Sequence, residues 1–368
     1  MSTANRQHGL SLIELMVAVT ISLILLSGVI QMFISSKQSY SSAESLSRMQ
    51  ENARYSMDAL SKDLRSAGFQ PCKQTSKQGN VLNSTPAGVN FFGAPLQGYD
   101  GSSAFHADFP AVGTAAGDRV AGADAVRIIR GGSTGFSVKK HTESSANFEL
   151  VGGTHNFVDG DIVLVCDSEN TSILQITNAN QMNVTIVHNT GTGTPGNCSK
   201  GLGYPTDCSS VNGNGKTYGP GSQIVSLESF IYYLGISASG NGHSLYRNRF
   251  NTTTTPFDPA NREELVDGIE TLQIVYGLAP DALSPAQRYV TADQLTTEAQ
   301  WKNVVSVRIG MLMVAPDQTA AEADTTAYNV VGTSVEHDNT GTDPAYTSDR
   351  RQRYIFTSTV KLRNRGTL

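Results

Sequence analysis

The stretch from Leu10 to Ile34, LSLIELMVAVTISLILLSGVIQMFI, constrains this chain more than any other. It holds 25 residues with one charge, Glu14. At about 1.5 Å per residue such a helix spans roughly 37 Å, enough for a bilayer core of about 30 Å. A cleaved secretory signal has an apolar region of only about 7–15 residues. This run is longer and carries its charge near the start. Arg6 and the amino terminus precede it, so the short polar leader is expected to stay in the cytoplasm and the rest of the chain to lie outside.

Glu14 needs a partner. An ionised carboxylate in a membrane segment costs several kcal/mol unless it is paired or protonated. Snorkelling to the nearby interface is the alternative, but a glutamate is too short to do it as lysine and arginine do. Beyond the span the helical period continues. Leu46, Met49, Ala53, Met57, Leu60 and Leu64 recur at steps of three and four, giving one apolar stripe, with Arg48, Glu51, Arg54, Asp58, Lys62 and Arg65 mostly elsewhere. Gly68 and Pro71 are stop signals. One helix from Leu10 to about Ala67, roughly 87 Å long, is the expectation.

These residues carry a resemblance. The leader MSTANRQHG, then LSLIELMVAV, is similar to the prepilin signature: a short basic leader, Gly, an apolar residue, three residues, Glu and an apolar helix. The resemblance implies cleavage by a prepilin peptidase between Gly9 and Leu10, N-methylation of Leu10, and a role in filament assembly for Glu14. It also implies a single-pass bacterial inner-membrane protein that passes into a pilus and contacts other minor and major pilins through its N-terminal helix. Leu10 stands where Phe is commonest in that family, and no proline interrupts residues 10–69. Expected segments are a leader at 1–9, a transmembrane and assembly helix at 10–34, an amphipathic outer half at 35–69, and a β-rich periplasmic or extracellular domain at 70–368.

Composition fits that domain. Hydrophobic residues make up 39% and charged residues 16%, with 35 Gly; so few charges suit a loop-rich extracytoplasmic β domain rather than a disordered chain. A net charge of −5 without a basic face argues against nucleic-acid binding. Residues 73–120 lack sustained periodicity and read as loops. Short Val- and Ile-rich runs then predict strands at 125–129, 161–166, 173–176, 182–187, 224–234 and 244–249. Residues 264–278 read as a helical turn leading into a strand at 272–277. The best strands are 304–314 and 354–362, with a polar insert at 316–350. Together these predict an α+β fold: a long N-terminal helix packed on an antiparallel sheet. The order GDIVLVCD, SLYRNR, ELVDGIETLQIVYGL, WKNVVSVRIGMLMV and a closing KLRNR resembles the PilW-type minor pilins. Type II secretion pseudopilins are similar in layout. The function this implies is priming of type IV pilus assembly, near the filament tip. A secretion pseudopilin, or an adhesin or other ligand-binding domain carried on a pilin helix, is the alternative.

No catalytic constellation stands out, so an enzyme is not expected. The seven histidines (His8, His106, His141, His155, His188, His243 and His337) show no metal-ligand spacing, and CxxC is absent, so neither metal nor cofactor is expected. Arg130-Gly131-Gly132 lacks the Lys-Ser/Thr of a phosphate loop. The acids at 159–161 and 167–169 lack calcium-loop spacing and read as turns. Phe230, Tyr232 and Tyr233 read as core rather than as a ligand platform. Four cysteines in an exported chain permit two disulfides in three pairings. Cys198 and Cys208 flank nine residues of a Gly- and Pro-containing loop, which closes easily. That leaves Cys72, just past the helix, for Cys166. A loop that short stabilises by roughly 2–3 kcal/mol.

Overall fold

The computed structural model describes residues 11–72, 77–105, 109–240, 242–250, 258–281, 283–338 and 344–364. Gly9 and Leu10 lie outside them. The fold is α+β. Helix α1, Leu12–Ser66, is 55 residues long, or about 82 Å. It ends where Gly68 adopts φ +72°, a left-handed conformation that glycine reaches without a Cβ clash. There the Gly68 N–H donates to the Ile129 carbonyl and the Gly131 N–H to the Phe69 carbonyl, so the departing chain is stitched at once to the sheet.

Nine strands frame the domain: β1 Ala125–Thr142, β2 Ile162–Cys166, β3 Asn170–Gln175, β4 Gln223–Ile236, β5 His243–Arg249, β6 Arg262–Asp267, β7 Ile269–Leu278, β8 Val304–Val314 and β9 Arg353–Lys361. An eleven-stranded sheet is built around β4. β4 pairs antiparallel with β1, with β2 through Gln223–Ser226 and with β5 through Phe230–Ile236. A second sheet of four strands runs Arg288–Val290, β7, β8, β9. Its register sets Val314 opposite Arg353 and Ser306 opposite Lys361.

The region 264–278 differs from the sequence expectation. It is two strands, not a helical turn and a strand. Val266, Ile269 and Leu272, three apart, imitate a helical stripe, yet they belong to different sheets. β6 pairs with β5, β7 pairs with β8, and Gly268 between them has φ +79°. One left-handed glycine therefore passes the chain from the large sheet to the small one. The segment 73–120 also holds more structure than expected. Lys77–Asn80 pairs parallel with β3 and Leu96–Tyr99 pairs with β1. Both strands are four residues long, too short to show a period. The polar insert forms a three-stranded sheet, Tyr328–Val330, Thr333–His337 and Ala345–Tyr346. The fully buried Arg353 side chain holds it to β7 and β9. Its guanidinium meets Glu270 at 2.9 Å, Asp349 at 3.0 Å and Asp324 at 3.5 Å, a network that satisfies a charge too costly to bury alone.

Cys72 is bonded to Cys166, the last residue of β2, and Cys198 to Cys208. Phe230, Tyr232 and Tyr233 are buried, as expected of core residues.

A separate core around Val163, Leu174 and Ile224 contains a histidine pair. His141 Nδ1 accepts from the Tyr218 N–H at 3.3 Å, which leaves its Nε2–H to donate to His188 Nε2 at 3.1 Å. The His141 ring stacks on Phe148 with centroids 4.1 Å apart. Burial pushes both imidazole pKa values below the ordinary 6.5. The unfolded chain therefore takes up protons that the folded chain refuses, and stability falls as pH drops below about 6.5. Between pH 6.5 and 5 each ring costs about 2 kcal/mol. Urea unfolding at the two pH values is expected to show this loss, and His141→Phe with His188→Leu is expected to reduce it.

Candidate assembly site: the long helix and its dock

Helix α1 presents two different surfaces along its length. From Ser11 through Tyr40 every residue is exposed, including Leu12, Ile13, Met16, Ile24, Met32 and Phe33. Its most apolar window has a mean hydropathy of 2.4, so the helix is long and apolar enough to cross a membrane. Two of the polar side chains within it are satisfied locally. Thr20 Oγ1 donates to the Met16 and Val17 carbonyls and Ser27 Oγ to the Ile24 carbonyl, which removes the cost of placing hydroxyls in hydrocarbon.

Glu14 sits in the first turn. Ser11 is the N-cap and its side chain accepts from the Glu14 N–H, while the Ser11 N–H donates to Glu14 Oε2 at 2.9 Å. This reciprocal capping box satisfies helix-end donors that otherwise lack partners. The carboxylate, unpartnered on a reading of charges alone, thus has a neutral partner in its own chain. Its second oxygen, Oε1, has none among the described residues. The capping signal was legible, since Ser11 and Glu14 stand three apart before an apolar run.

The outer half of α1 is docked. Contacts begin at Gln38, whose Nε2 donates to the Thr319 carbonyl at 3.1 Å. Farther along, Ser42 accepts from Gln352 and Ser45 donates to Asp317. Of the predicted stripe, Met49, Ala53, Leu60 and Leu64 are buried, with Leu46 and Met57 partly buried against the same core. They share one core with Val126 and Ile128 of β1, Tyr232 and Leu234 of β4, Leu272 and Ile274 of β7, and Val307, Ile309 and Met311 of β8. The helix therefore closes the two sheets onto one core.

The polar part of this dock was not apparent from the apolar period. Asp63, 3% exposed, accepts from Arg130 Nη1 at 2.8 Å and from the Tyr232 hydroxyl, and lies 3.7 Å from Arg247 Nη1. Arg130 also reaches Glu228 at 3.1 Å and Ser66 at 3.0 Å. Burial and the neighbouring Asp63 hold the Tyr232 hydroxyl well above its ordinary pKa, keeping it a donor. A carboxylate on the buried face of an amphipathic helix, one residue from a buried leucine, was the available signal. Among the described residues no three His, Cys, Asp or Glu side chains converge as a metal site.

An exposed apolar half-helix thus runs without a break into a docked half-helix. The family model for Type IV Pilus-assembly protein W matches residues 231–364, and that for the prokaryotic N-terminal methylation motif matches residues 4–30. The C-terminal part of the chain is thus similar to the PilW family and its N-terminal part to prepilins, and the two matches support a type IV pilus minor pilin. No curated protein and no solved structure matches the chain. Similarity to a pilus-assembly family implies contacts with other pilins and a motif for prepilin peptidase, and the apolar helix near the N-terminus fits an inner-membrane anchor.

Proposed function

We propose that the chain is cut between Gly9 and Leu10 on the cytoplasmic face, methylated at Leu10, and then joins other minor pilins to prime a type IV pilus, staying near its tip. The division at 34/35 marks where the helix leaves the membrane, and residues 70–368 form the domain presented outside. The supporting observation is the exposed apolar face of Leu12–Ile34, a surface far larger than monomeric soluble proteins leave uncovered. A bilayer covers it before assembly and neighbouring helices cover it afterwards. Glu14 lies at its inner end, placed to meet the amino terminus of an adjacent subunit. The docked half holds a rigid domain outside the filament core, which suits a structural rather than a catalytic subunit.

Cleavage requires the peptidase to pass the backbone closely past its catalytic groups, and Gly9 is the only glycine before the span. A side chain there obstructs the passage. Gly9→Val is therefore expected to accumulate as a precursor, while the mature wild-type chain starts at Leu10 with an added methyl. Mass spectrometry of the amino terminus checks both. An intact Met1 start in assembled filaments overturns the processing step. A deletion strain with wild-type piliation overturns the assembly role.

A further inference from the structure

Residues alternate across β4, so its two faces do different work. Tyr232 and Leu234 face the core shared with α1. Ile231 and Tyr233 face the other way, joining Phe109, Ala125 and Tyr246 in a second cluster, with Tyr99 and Phe105 packed against it. Arg119 lies in this outer cluster. Its backbone is fixed on both sides: its N–H donates to the Ala111 carbonyl at 2.9 Å, its carbonyl accepts from Gly113, and it bridges Gly235 at the end of β4. The guanidinium carbon sits 3.6 Å above the centroid of the Phe105 ring, and that ring is edge-on to Phe109 at 5.3 Å.

Arg119 is only 8% exposed. Arginines buried to that degree are almost always paired. This one has no carboxylate within salt-bridge distance and no side-chain hydrogen bond among the described residues, and its Nε is sealed from solvent without a partner. The adjacent acid is committed elsewhere: Asp118 Oδ2 accepts from the Ala115 N–H. Loss of water lowers the Arg119 pKa with nothing offsetting it. Arg130, Arg247 and Arg353 each sit against carboxylates. Stacking on Phe105 offsets part of that loss, and it leaves the in-plane donors unused.

We propose that Arg119 anchors a binding site for a small oxyanion, a carboxylate or phosphate group, on the sheet face opposite the long helix. The guanidinium supplies a fork of N–H donors matched to two oxygens of one ligand group. Phe105 lies beneath the guanidinium and fixes its plane. The site faces away from α1, so packing of the helix among others does not cover it. It goes beyond an assembly role: the subunit carries a ligand site outward.

Thermal unfolding of the full chain in detergent tests this, with sodium acetate or inorganic phosphate titrated at constant ionic strength against sodium chloride. Either oxyanion is expected to raise Tm by about 2 °C or more at saturation, and chloride is not. A response to acetate alone assigns a carboxylate site and a response to phosphate alone a phosphate site. Arg119→Met keeps the stem and the stacking area and is expected to abolish the shift. Arg119→Lys keeps charge without the fork and is expected to halve it or less. No oxyanion-specific shift in the wild-type chain, or the same shift in Arg119→Lys, overturns the proposal, and both readings stand even if Arg119→Met fails to fold.

Discussion

Glu14→Ala is expected to insert in the membrane and to be cleaved normally, yet to enter filaments at least about tenfold less than the wild-type chain. Insertion depends on the apolar run, which the substitution makes more apolar. On the proposed processing, cleavage depends on the leader and Gly9, whereas assembly would move the carboxylate from a membrane edge into a packed, low-dielectric bundle. Cutting after Gly9 would create a positive amino terminus at Leu10. A staggered neighbour would then bring its own terminus to Glu14, where attraction between the two is large and an unpaired charge costs several kcal/mol. Only about 1.4 kcal/mol is needed for a tenfold effect.

The capping box supplies a sharper control. Ser11 occupies only one carboxylate oxygen, and glutamine caps a helix as glutamate does. Glu14→Gln therefore keeps the cap and removes the charge. If charge pairing drives addition, Glu14→Gln fails as Glu14→Ala does, and Glu14→Asp, with its shorter reach, falls between. If the cap is what matters, Glu14→Gln assembles like the wild type and the pairing account is lost. Sheared filaments and membranes, fractionated from cells expressing each variant equally, separate the two results.

The second large effect concerns Asp63. Asp63→Ala is expected to lower the unfolding free energy by about 3 kcal/mol, because it strips a buried charge from its partners rather than removing an isolated contact. Arg130 retains Glu228 and Ser66, which keeps the loss toward the lower end of the range for broken buried pairs. The Tyr232 hydroxyl loses its acceptor outright. In a double-mutant cycle with Arg130→Met, followed by urea unfolding of the full chain in detergent, the two losses are expected to fall short of additivity by more than 1 kcal/mol. A loss below about 1 kcal/mol for Asp63→Ala means that Met49, Ala53, Leu60 and Leu64 hold the helix by themselves.

The parts of the chain with a long period were the ones open to reading. The apolar span needed only its length, and the stripe from Leu46 to Leu64 needed only steps of three and four. Val304–Val314 read as a strand because Val, Ile, Leu and Met fill eight of its eleven positions. Residues 264–278 failed for a physical reason: spacing cannot reveal that Val266 and Ile269 serve different sheets, since that depends on the backbone angle of Gly268. Asp63 and Arg119 escaped for a related reason. Each is a single charged residue, and what sets it apart is the set of distant groups that do or do not reach it. In Asp63 those groups are Arg130, Tyr232 and Arg247. For Arg119 the telling feature is that no acid among the described residues, not even the adjacent Asp118, reaches its guanidinium.

The Cys72–Cys166 bond sets how this subunit transmits load. Tension applied through the helix leaves it a few residues past Ser66 and at once meets a covalent crossing to the end of β2. The 94-residue separation bridged there corresponds to about 320 Å of fully drawn-out chain. While the bond is intact that length stays out of the mechanical circuit, and the first strands along it are spared peeling. Reduction puts it back in series. A pull between the helix and the C-terminal strand β9 can then draw out that length, once α1 is undocked and β1 is peeled from β4.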